Sequence, residues 1–256
     1  MCRAGDASLL GSLAKNLLPP FIRKELSKRR WQWRSYLESR RNRNRRAADV
    51  FSQIYRENTW GDGETRFFSG AGSRGPFVKL YCDRINEFIK EKNIKSVLDI
   101  GCGDFYVGRN LICEDYTGMD VVPDLVSYNN ATFGGPGCRF ICADAAGDGD
   151  LPTADLVLVR QVFQHLSNRQ VETILGKLAP FRHVIVTEQQ PAASDFAMVN
   201  RDHVHGNGTR LLHGSGVYLE LPPFSRSVEL LLDCAGDDRS GDVHGRGPIR
   251  SFLVRA

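Results

Sequence analysis

A chain of 256 residues with 41% hydrophobic and 25% charged residues is typical of one folded domain with a short appendage. No run of about 18 apolar residues is present, so the composition excludes a membrane-spanning helix. The formal net charge of +4 is unevenly placed: residues 21–46 hold 11 of the 34 Lys and Arg and 2 of the 30 Asp and Glu, which gives this segment +9 and the rest −5.

The amino terminus and the cysteines indicate a reducing cytoplasm. Before Pro19 and Pro20 there is neither a long apolar region nor a small-residue cleavage site, so we predict no signal peptide. No C-x-x-C pair occurs, and neither a zinc site nor a disulfide framework is expected. The seven cysteines are widely scattered, at positions 2, 82, 102, 113, 138, 142 and 234.

Residues 1–46 are predicted to form a basic helical arm. The helix should run over residues 7–46 with a break at Pro19–Pro20, and Trp31, Trp33 and Tyr36 lie among its arginines. Two interpretations stay open: a solvated helix resting on the main domain, or a segment that binds an anionic partner. Because no RNA-binding module accompanies the arm, a membrane surface is favoured over nucleic acid. The expected location is therefore cytoplasmic, with a peripheral contact at the inner face of the membrane.

The segment 55–76 is rich in Gly and Ser, with aromatic residues between them, and is predicted to be an ordered loop or a lid. A static loop that supports the domain is the alternative. A helix with apolar residues at spacings of three and four is predicted to start at Pro76. The candidate lid residues are Trp60, Ser69, Gly70, Gly72 and Ser73.

From residue 96 onward, short apolar runs alternate with helical patterns. Five strands are predicted, at 96–100, 116–120, 138–144, 154–159 and 183–188. Helices are predicted at 105–113, 122–130 and 168–179. A polar loop region over 189–224 precedes two final strands, at 228–233 and 250–256. This order predicts an α/β fold: a doubly wound, mostly parallel, Rossmann-like sheet with helices on both faces.

The first strand ends in a Gly-Cys-Gly turn that lets a ligand approach the backbone. Gly101 and Gly103 lie where open α/β sheets bind their ligands. A dinucleotide loop needs a small residue three positions after the second glycine, and this chain has the bulky Tyr106 there. Asp120 and Asp144 end the next two strands, where carboxylates can accept from ribose hydroxyls and an adenine amino group. The pattern favours an adenosine without phosphates.

The motifs "VLDIGCGD", "YTGMD", "CAD" and "ADLVLVRQVFQHLS" resemble, in order and spacing, those of class I S-adenosylmethionine-dependent methyltransferases. The resemblance covers about residues 76–190. The upstream "WGDGETRFFSGAGS" and the "LELPPF" at 219–224 look like features of a bacterial subgroup, which commonly has an acid where this chain has Gln161.

The resemblance implies S-adenosyl-L-methionine as the cofactor. It implies that Asp99, Gly101 and Gly103 hold the methionine part, Asp120 the ribose, and Asp144 with Ala145 the adenine. Cys102, Val121, Arg160 and Gln161 complete the predicted cofactor contacts.

Two residues are candidates for the base that removes a proton from the acceptor. His165 has a side chain suited to proton removal near neutrality, although a purely structural place at a helix start is the alternative. Glu188, at the end of the fifth strand, is the second candidate. Asp202 and Arg210 are predicted to bind the acceptor. His203 and His205 beside Asp202 also suggest a metal, but a polar surface loop is the preferred interpretation and no metal is predicted.

We therefore expect a methyltransferase that acts on an oxygen of a sugar, glycolipid or other small molecule. The expected domain covers 47–256, with a lid segment at 55–76, a core at 77–190 and acceptor-side loops at 191–224. A non-catalytic adenosyl-binding or interaction protein and a nicotinamide-dependent enzyme are the alternatives.

Overall fold

The structure is a computed structural model and describes residues 19–61, 66–235 and 247–255. Its centre is a seven-stranded sheet in the order β3-β2-β1-β4-β5-β7-β6. The strands are β1 Ser96–Ile100, β2 Asp115–Asp120, β3 Cys138–Cys142, β4 Leu156–Arg160, β5 His183–Gln189, β6 Ser227–Cys234 and β7 Ile249–Arg255. The first five strands are parallel, and β7 runs antiparallel to both β5 and β6. The predicted doubly wound, mostly parallel sheet is confirmed.

Helices cover the sheet and precede it. They are α1 Pro20–Asn42, α2 Ala47–Arg56, α3 Phe77–Glu91, α4 Pro123–Phe133 and α5 Asn168–Leu178. Side chains of successive strand residues point to opposite faces, so the sheet has two apolar cores. Val97 and Leu158 pack with α3 on one face, whereas Leu98 and Val157 pack with α5 on the other. Ser167 begins α5 through a capping box with Gln170.

The predicted helix at 105–113 is wrong: this segment contains only a 3₁₀ turn at Gly108–Asn110. Phe105 adopts a left-handed backbone conformation, with φ 61°, which is incompatible with a right-handed helix. Its buried ring lies 4.9 Å from the ring centroids of both Tyr116 and Phe140, and 5.3 Å from that of Phe133. Aromatic packing into the core therefore replaces the helix that the pattern predicts.

The predicted loop region 189–224 has no α-helix or strand after Gln189, where β5 ends, but it is fixed by buried polar side chains. Arg210 is 1% exposed and donates to Asn168 Oδ1 at 2.5 Å and to the carbonyls of Arg201 and Leu166 at 2.6 and 2.7 Å. Asn200 accepts the backbone N–H of Tyr218 and donates to its carbonyl, both at 2.8 Å. These bonds hold the segment in one conformation without regular structure.

Helix α1 rests on this segment through its polar side. Gln32 donates to the carbonyl of Leu212 at 3.4 Å, Asn42 donates to the carbonyl of His205 at 3.3 Å, and Glu38 accepts the backbone N–H of Asn207 at 2.9 Å. The predicted helical part before Pro19 lies outside the described residues. None of the described helices is long and apolar enough to cross a bilayer.

Candidate functional site

A cavity of about 510 Å³ lies at the carboxyl ends of β1, β2 and β4, and the Gly-Cys-Gly turn forms its floor. Gly101 and Gly103 have φ angles of 72° and 56°, which favour glycine. A Cβ at Gly101 would overlap the side chain of Val162, and one at Gly103 would overlap the hydroxyl of Ser69. The cavity is of the size that small ligands and cofactors occupy, and its floor is bare backbone.

Two buried carboxyl groups border this floor. Asp120 accepts the backbone N–H groups of Gly103 and Val122, both at 3.1 Å, and Asp99 accepts the Tyr116 hydroxyl at 2.6 Å. Burial raises the pKa of each carboxyl group to about 6. The hydrogen bonds that each group accepts lower its pKa, but their effect is smaller than that of burial. Each oxygen keeps a second lone pair, so the floor can accept from hydroxyl or ammonium groups.

Arg160 is a partly buried cation beside the same floor. One terminal nitrogen donates to the carbonyl of Gly72 at 2.9 Å, while the buried Nε has no hydrogen-bond partner. Burial lowers the pKa of the guanidinium, and Arg160 forms no ion pair with any described residue. An anionic ligand group, such as a carboxylate, would satisfy this guanidinium.

The loop at 66–76 is anchored over the floor. Ser69 Oγ accepts the backbone N–H of Asp104 at 2.8 Å and lies 2.9 Å from the Tyr55 hydroxyl. Arg74 forms an ion pair with the carboxylate of Asp104. Because the loop is tied to the glycine turn at both points, a ligand on the floor is also bordered by the loop. Residues 62–65 of the predicted lid lie outside the described residues.

Tyr106 does not begin a helix after the glycine turn. Its ring lies between two guanidinium groups, with Arg74 Cζ at 3.7 Å and Arg109 Cζ at 4.4 Å from its centroid. A dinucleotide loop binds pyrophosphate at the N-terminus of the helix that follows it. No such helix follows the described turn. This agrees with the prediction, made from the bulky Tyr106, that the turn does not bind a dinucleotide.

His165 borders the cavity from the 3₁₀ turn Phe163–His165. Its Nδ1 lies 3.2 Å from the carbonyl of Gly206, which can only accept, so Nδ1 carries the proton and the Nε2 lone pair accepts from the side-chain N–H of Gln164 at 3.4 Å. Burial lowers the pKa of this imidazole to about 4. His165 is therefore neutral near pH 7, and the Trp60 ring lies 5.5 Å from it.

Glu188, the second predicted base, does not line the cavity. Its two carboxyl oxygens accept the backbone N–H groups of Phe163 at 2.7 Å and Gln164 at 3.2 Å. Burial raises the pKa of Glu188 to about 8, while these bonds and Arg210 oppose the rise. The side chain thus supports the turn that presents His165, and it lies below the site rather than in it.

The two predicted acceptor-binding residues also lie outside the cavity. Arg210 is occupied by internal hydrogen bonds, and the exposed Asp202 accepts the backbone N–H of Asn168 at 2.7 Å, at the start of α5. Asn207, Thr209 and Leu211, from the same segment, border the cavity instead. Among the described residues, no group of three or more His, Cys, Asp or Glu side chains is placed to hold a metal ion.

The other predicted site residues are brought together around the cavity. Those predicted on the cofactor side are Asp99, Gly101, Cys102, Gly103, Asp120, Val121, Asp144, Ala145, Arg160 and Gln161, and those of the predicted lid are Trp60, Ser69, Gly70, Gly72 and Ser73. The sequence analysis missed Phe51 and Tyr55 on α2, whose signal was the strong apolar stripe of that helix. It also missed Arg74, which does not line the cavity but ties the loop to Asp104 beside the glycine turn.

Comparisons with known proteins agree with this geometry. Residues 97–181 match a sequence-family model described as a methyltransferase domain. The N-methyltransferase NodS from Bradyrhizobium japonicum WM9, in complex with S-adenosyl-L-homocysteine, has a TM-score of 0.54 and 14% identity over 81% of this chain and 100% of NodS. A second NodS structure gives 0.51 and 15% over 71% and 98%. No curated protein matches the sequence significantly. At these identities the structural likeness concerns the fold.

Proposed function

We propose that this chain, which is a class I S-adenosylmethionine-dependent methyltransferase, methylates an oxygen atom of a small neutral acceptor such as a sugar or a glycolipid headgroup. The observation that carries the proposal is the uncharged surroundings of His165. The Trp60 ring lies 5.5 Å from the imidazole, and Asn207 and Thr209, which also line the cavity, follow Gly206, whose carbonyl contacts Nδ1 of His165. Uncharged surroundings favour an acceptor without charge, because a buried charge needs a partner.

The cofactor is proposed to occupy the charged side. Arg160 would pair with its carboxylate, Asp99 with its ammonium group, and the bare backbone of Gly101 and Gly103 would lie beside its methionine part. Asp120 would accept from the ribose hydroxyls. When bound, S-adenosylmethionine supplies a methyl group on a sulfonium, which reacts with a nucleophile placed in line with the carbon–sulfur bond.

The adenine is proposed to lie at the ends of β2 and β3. Asp144 and Ala145 follow β3, and they line the cavity together with Cys102 of the glycine turn and Val121, which follows β2. Asp144 already accepts the backbone N–H of Ala146 at 2.9 Å through Oδ1. Its second oxygen is available for the adenine amino group, and the neighbouring apolar side chains suit the faces of the base.

His165 is proposed to be the base that removes the proton of the acceptor hydroxyl. His165 lines the cavity, and the bond from Nδ1 to Gly206 fixes the ring and the tautomer. To act as the base, its Nε2 lone pair would exchange the side-chain N–H of Gln164, 3.4 Å away, for the hydroxyl of the acceptor. Two neighbouring buried atoms, Trp60 Nε1 and Gln164 Oε1, have no hydrogen-bond partner. Hydroxyl groups suit this pair, because a hydroxyl can accept from the Trp60 N–H and donate to the Gln164 carbonyl oxygen.

The basic arm belongs to the same proposal. We take residues 1–46 as a segment that contacts an anionic membrane surface, and 47–256 as the methyltransferase domain. The segment 55–76 stays the proposed lid, and its described residues Trp60, Ser69, Gly70, Gly72 and Ser73 line the cavity. A glycolipid acceptor would bring substrate and membrane together at one place.

Binding and transfer test the proposal separately. Calorimetry with S-adenosylhomocysteine and with NADH should give heat with the first only. Transfer of a labelled methyl group should then be followed with three matched sugars that offer a hydroxyl, a carboxylate or an amine. We expect label in a base-stable ether. Label found only in an amine or in a base-labile ester would contradict an oxygen acceptor of neutral character, while leaving the cofactor site intact.

A further inference from the structure

Helix α1 turns an apolar stripe away from the protein. Leu26, Trp33 and Leu37 are spaced by seven and four residues, which places them on one side of an α-helix. Their exposed fractions are 47%, 62% and 47%. The side chain of Tyr36 is also exposed, and its ring lies 5.6 Å from that of Trp33. Large apolar side chains seldom lie exposed together on a helix unless they meet a partner.

Arginines border this stripe on both sides. At 100° per residue, Arg30 and Arg34 fall on one side of the line through Leu26 and Leu37, and Arg40 falls on the other. All three arginines are exposed. The outward face of α1 therefore has an apolar centre with a cationic border. We call the set Leu26, Arg30, Trp33, Arg34, Tyr36, Leu37 and Arg40 the outer face.

The hydrogen bonds that tie α1 to the rest of the chain come from polar side chains. Gln32, Glu38 and Asn42 make the hydrogen bonds to Leu212, Asn207 and His205 described above. At 100° per residue these three polar side chains lie on the side of α1 opposite the outer face. The same contacts tie α1 to the segment 205–212, which borders the acceptor side of the cavity.

A second exposed apolar group is tied to this region. Phe196 and Met198 are both about half exposed. The backbone N–H of Ala197, between them, donates to the carbonyl of Gly214 at 2.7 Å. Two separate apolar groups are thus attached to the segment that leads from the cavity wall at Asn207 to Gly214.

We propose that the outer face lies in the headgroup layer of an anionic lipid bilayer and so places the acceptor side of the cavity next to a membrane-borne, amphiphilic acceptor. The second part rests on the proposed function. Helices that lie in a bilayer surface have an apolar side that enters the acyl boundary and basic residues that meet anionic lipids. Trp and Tyr side chains are enriched at that depth, where an apolar ring and a polar group are both satisfied.

Two other occupants fit the outer face less well. In a symmetric pair of copies the same face would meet itself, and Arg30, Arg34 and Arg40 would approach their own equivalents. A nucleic acid would neutralise the arginines through its phosphates, but it would leave Leu26 and Leu37 exposed to water. A bilayer satisfies the apolar centre and the cationic border together.

The test uses the full chain and vesicle flotation. The probes are vesicles of phosphatidylcholine alone and of phosphatidylcholine mixed with phosphatidylglycerol. We expect binding to the mixed vesicles, weakened by salt because anionic lipids take part. The double variant Trp33→Ser/Leu37→Ser should lose more than about tenfold in affinity, since two apolar side chains no longer enter the bilayer. The matched control Leu80→Ser/Ile112→Ser removes two exposed apolar side chains elsewhere and should bind like the wild type.

Each outcome is decisive. The proposal is overturned if the wild type does not bind the mixed vesicles, if the double variant binds them equally, if a single-stranded RNA is bound in preference, or if sedimentation shows that the outer face joins two copies. Affinity for S-adenosylhomocysteine, measured on the same preparations, separates this proposal from the proposed function. Intact ligand binding without vesicle binding refutes the membrane surface alone, and vesicle binding without ligand binding refutes the cofactor site alone.

Discussion

The carboxylate of Asp120, at the end of β2, accepts the backbone N–H of Gly103, after β1, at 3.1 Å. One side chain thus joins the ends of two neighbouring strands under the cavity. The same carboxylate also accepts the N–H of Val122 at 3.1 Å, so it shapes the floor on both sides. Asp120, which is predicted to bind the ribose, therefore also maintains the turn against which the proposed ligand lies.

Replacing Asp120 tests both of these roles. Asp120→Ala should weaken S-adenosylhomocysteine binding by roughly 1–3 kcal/mol, about 5- to 150-fold, because a charged acceptor is removed. The melting temperature of the ligand-free protein should also fall, since the Gly103 N–H loses its acceptor. Asp115→Ala, at the exposed start of the same strand, is the control and should change neither quantity. An unchanged affinity in Asp120→Ala would remove Asp120 from the ribose site.

Gly101 should not tolerate even a methyl group. Gly101→Ala combines a φ of 72° with an overlap against Val162, so we expect lower stability and loss of S-adenosylhomocysteine binding. Gly176→Ala is the matched control, because its added Cβ would meet nothing within 4 Å inside α5. This control should be stabilised by about 0.5–1 kcal/mol. Chemical denaturation of both variants, with and without ligand, checks the pair.

His165→Asn should separate proton removal from support of the loop. The amide nitrogen of Asn can keep the bond to the Gly206 carbonyl, whereas the Nε2 lone pair is lost. We expect kcat to fall by about 10²–10⁴-fold, with little change in affinity for S-adenosylhomocysteine. An unchanged kcat would leave His165 with a structural role only.

Glu188→Gln provides the comparison for His165. The amide of Gln would turn one N–H group toward a backbone N–H of Phe163 or Gln164, so the turn beneath His165 should be destabilised. We expect the melting temperature to fall, which His165→Asn should not cause to the same extent. Lost activity at unchanged stability would instead return Glu188 to the role of a base.

Cofactor affinity should depend on pH. The carboxyl groups of Asp99 and Asp120 have pKa values of about 6 in the ligand-free protein, and their ionised forms are the ones that accept hydroxyls and attract an ammonium group. Affinity for S-adenosylhomocysteine should therefore rise between about pH 5 and pH 7, with proton release at pH 6. Calorimetry in buffers of different ionisation enthalpy measures both, and a flat profile would contradict the proposal.

The same shifts predict the opposite trend for the stability of the ligand-free protein. Folded pKa values of about 6 lie above the ordinary 3.8, so the folded state keeps these protons to higher pH than the unfolded state does. Their contribution to stability is therefore largest below about pH 4 and declines as the pH rises through 6. Asp120→Asn should reduce this decline in a denaturation series.

The fold was predictable where local pattern and tertiary packing agree. The five parallel strands are apolar runs of the expected length, and the two later strands pair antiparallel beside β5. The segment after Gly103 shows the limit. Phe105 and Tyr106 fit a helical pattern, but the ring of Phe105 is buried with residues of β2, α4 and β3, which are distant in sequence.

The site was predictable at the strand ends and less so elsewhere. Asp99, Asp120 and Asp144 are placed by the strands that precede them, because parallel strands end at one edge. For Glu188, the position at a strand end did not predict where the side chain lies. It points to the turn of Phe163 rather than to the cavity. Arg210 resembled a binding residue because it is charged and lies in a loop, and only the fold reveals that Asn168 and Leu166 occupy it.

The position of β7 has a consequence for the order in which the sheet is completed during synthesis. In the described sheet β6 borders only β7, although β6 precedes it in the chain. When β6, Ser227–Cys234, leaves the ribosome, its native partner β7 has not yet been made, and β5 is not a native partner of β6. One edge of β5 and one edge of β6 therefore keep unpaired N–H and carbonyl groups. Ile249–Arg255 pairs with both strands and so protects one edge of each. One short strand, translated late, removes two sites at which nascent chains could aggregate.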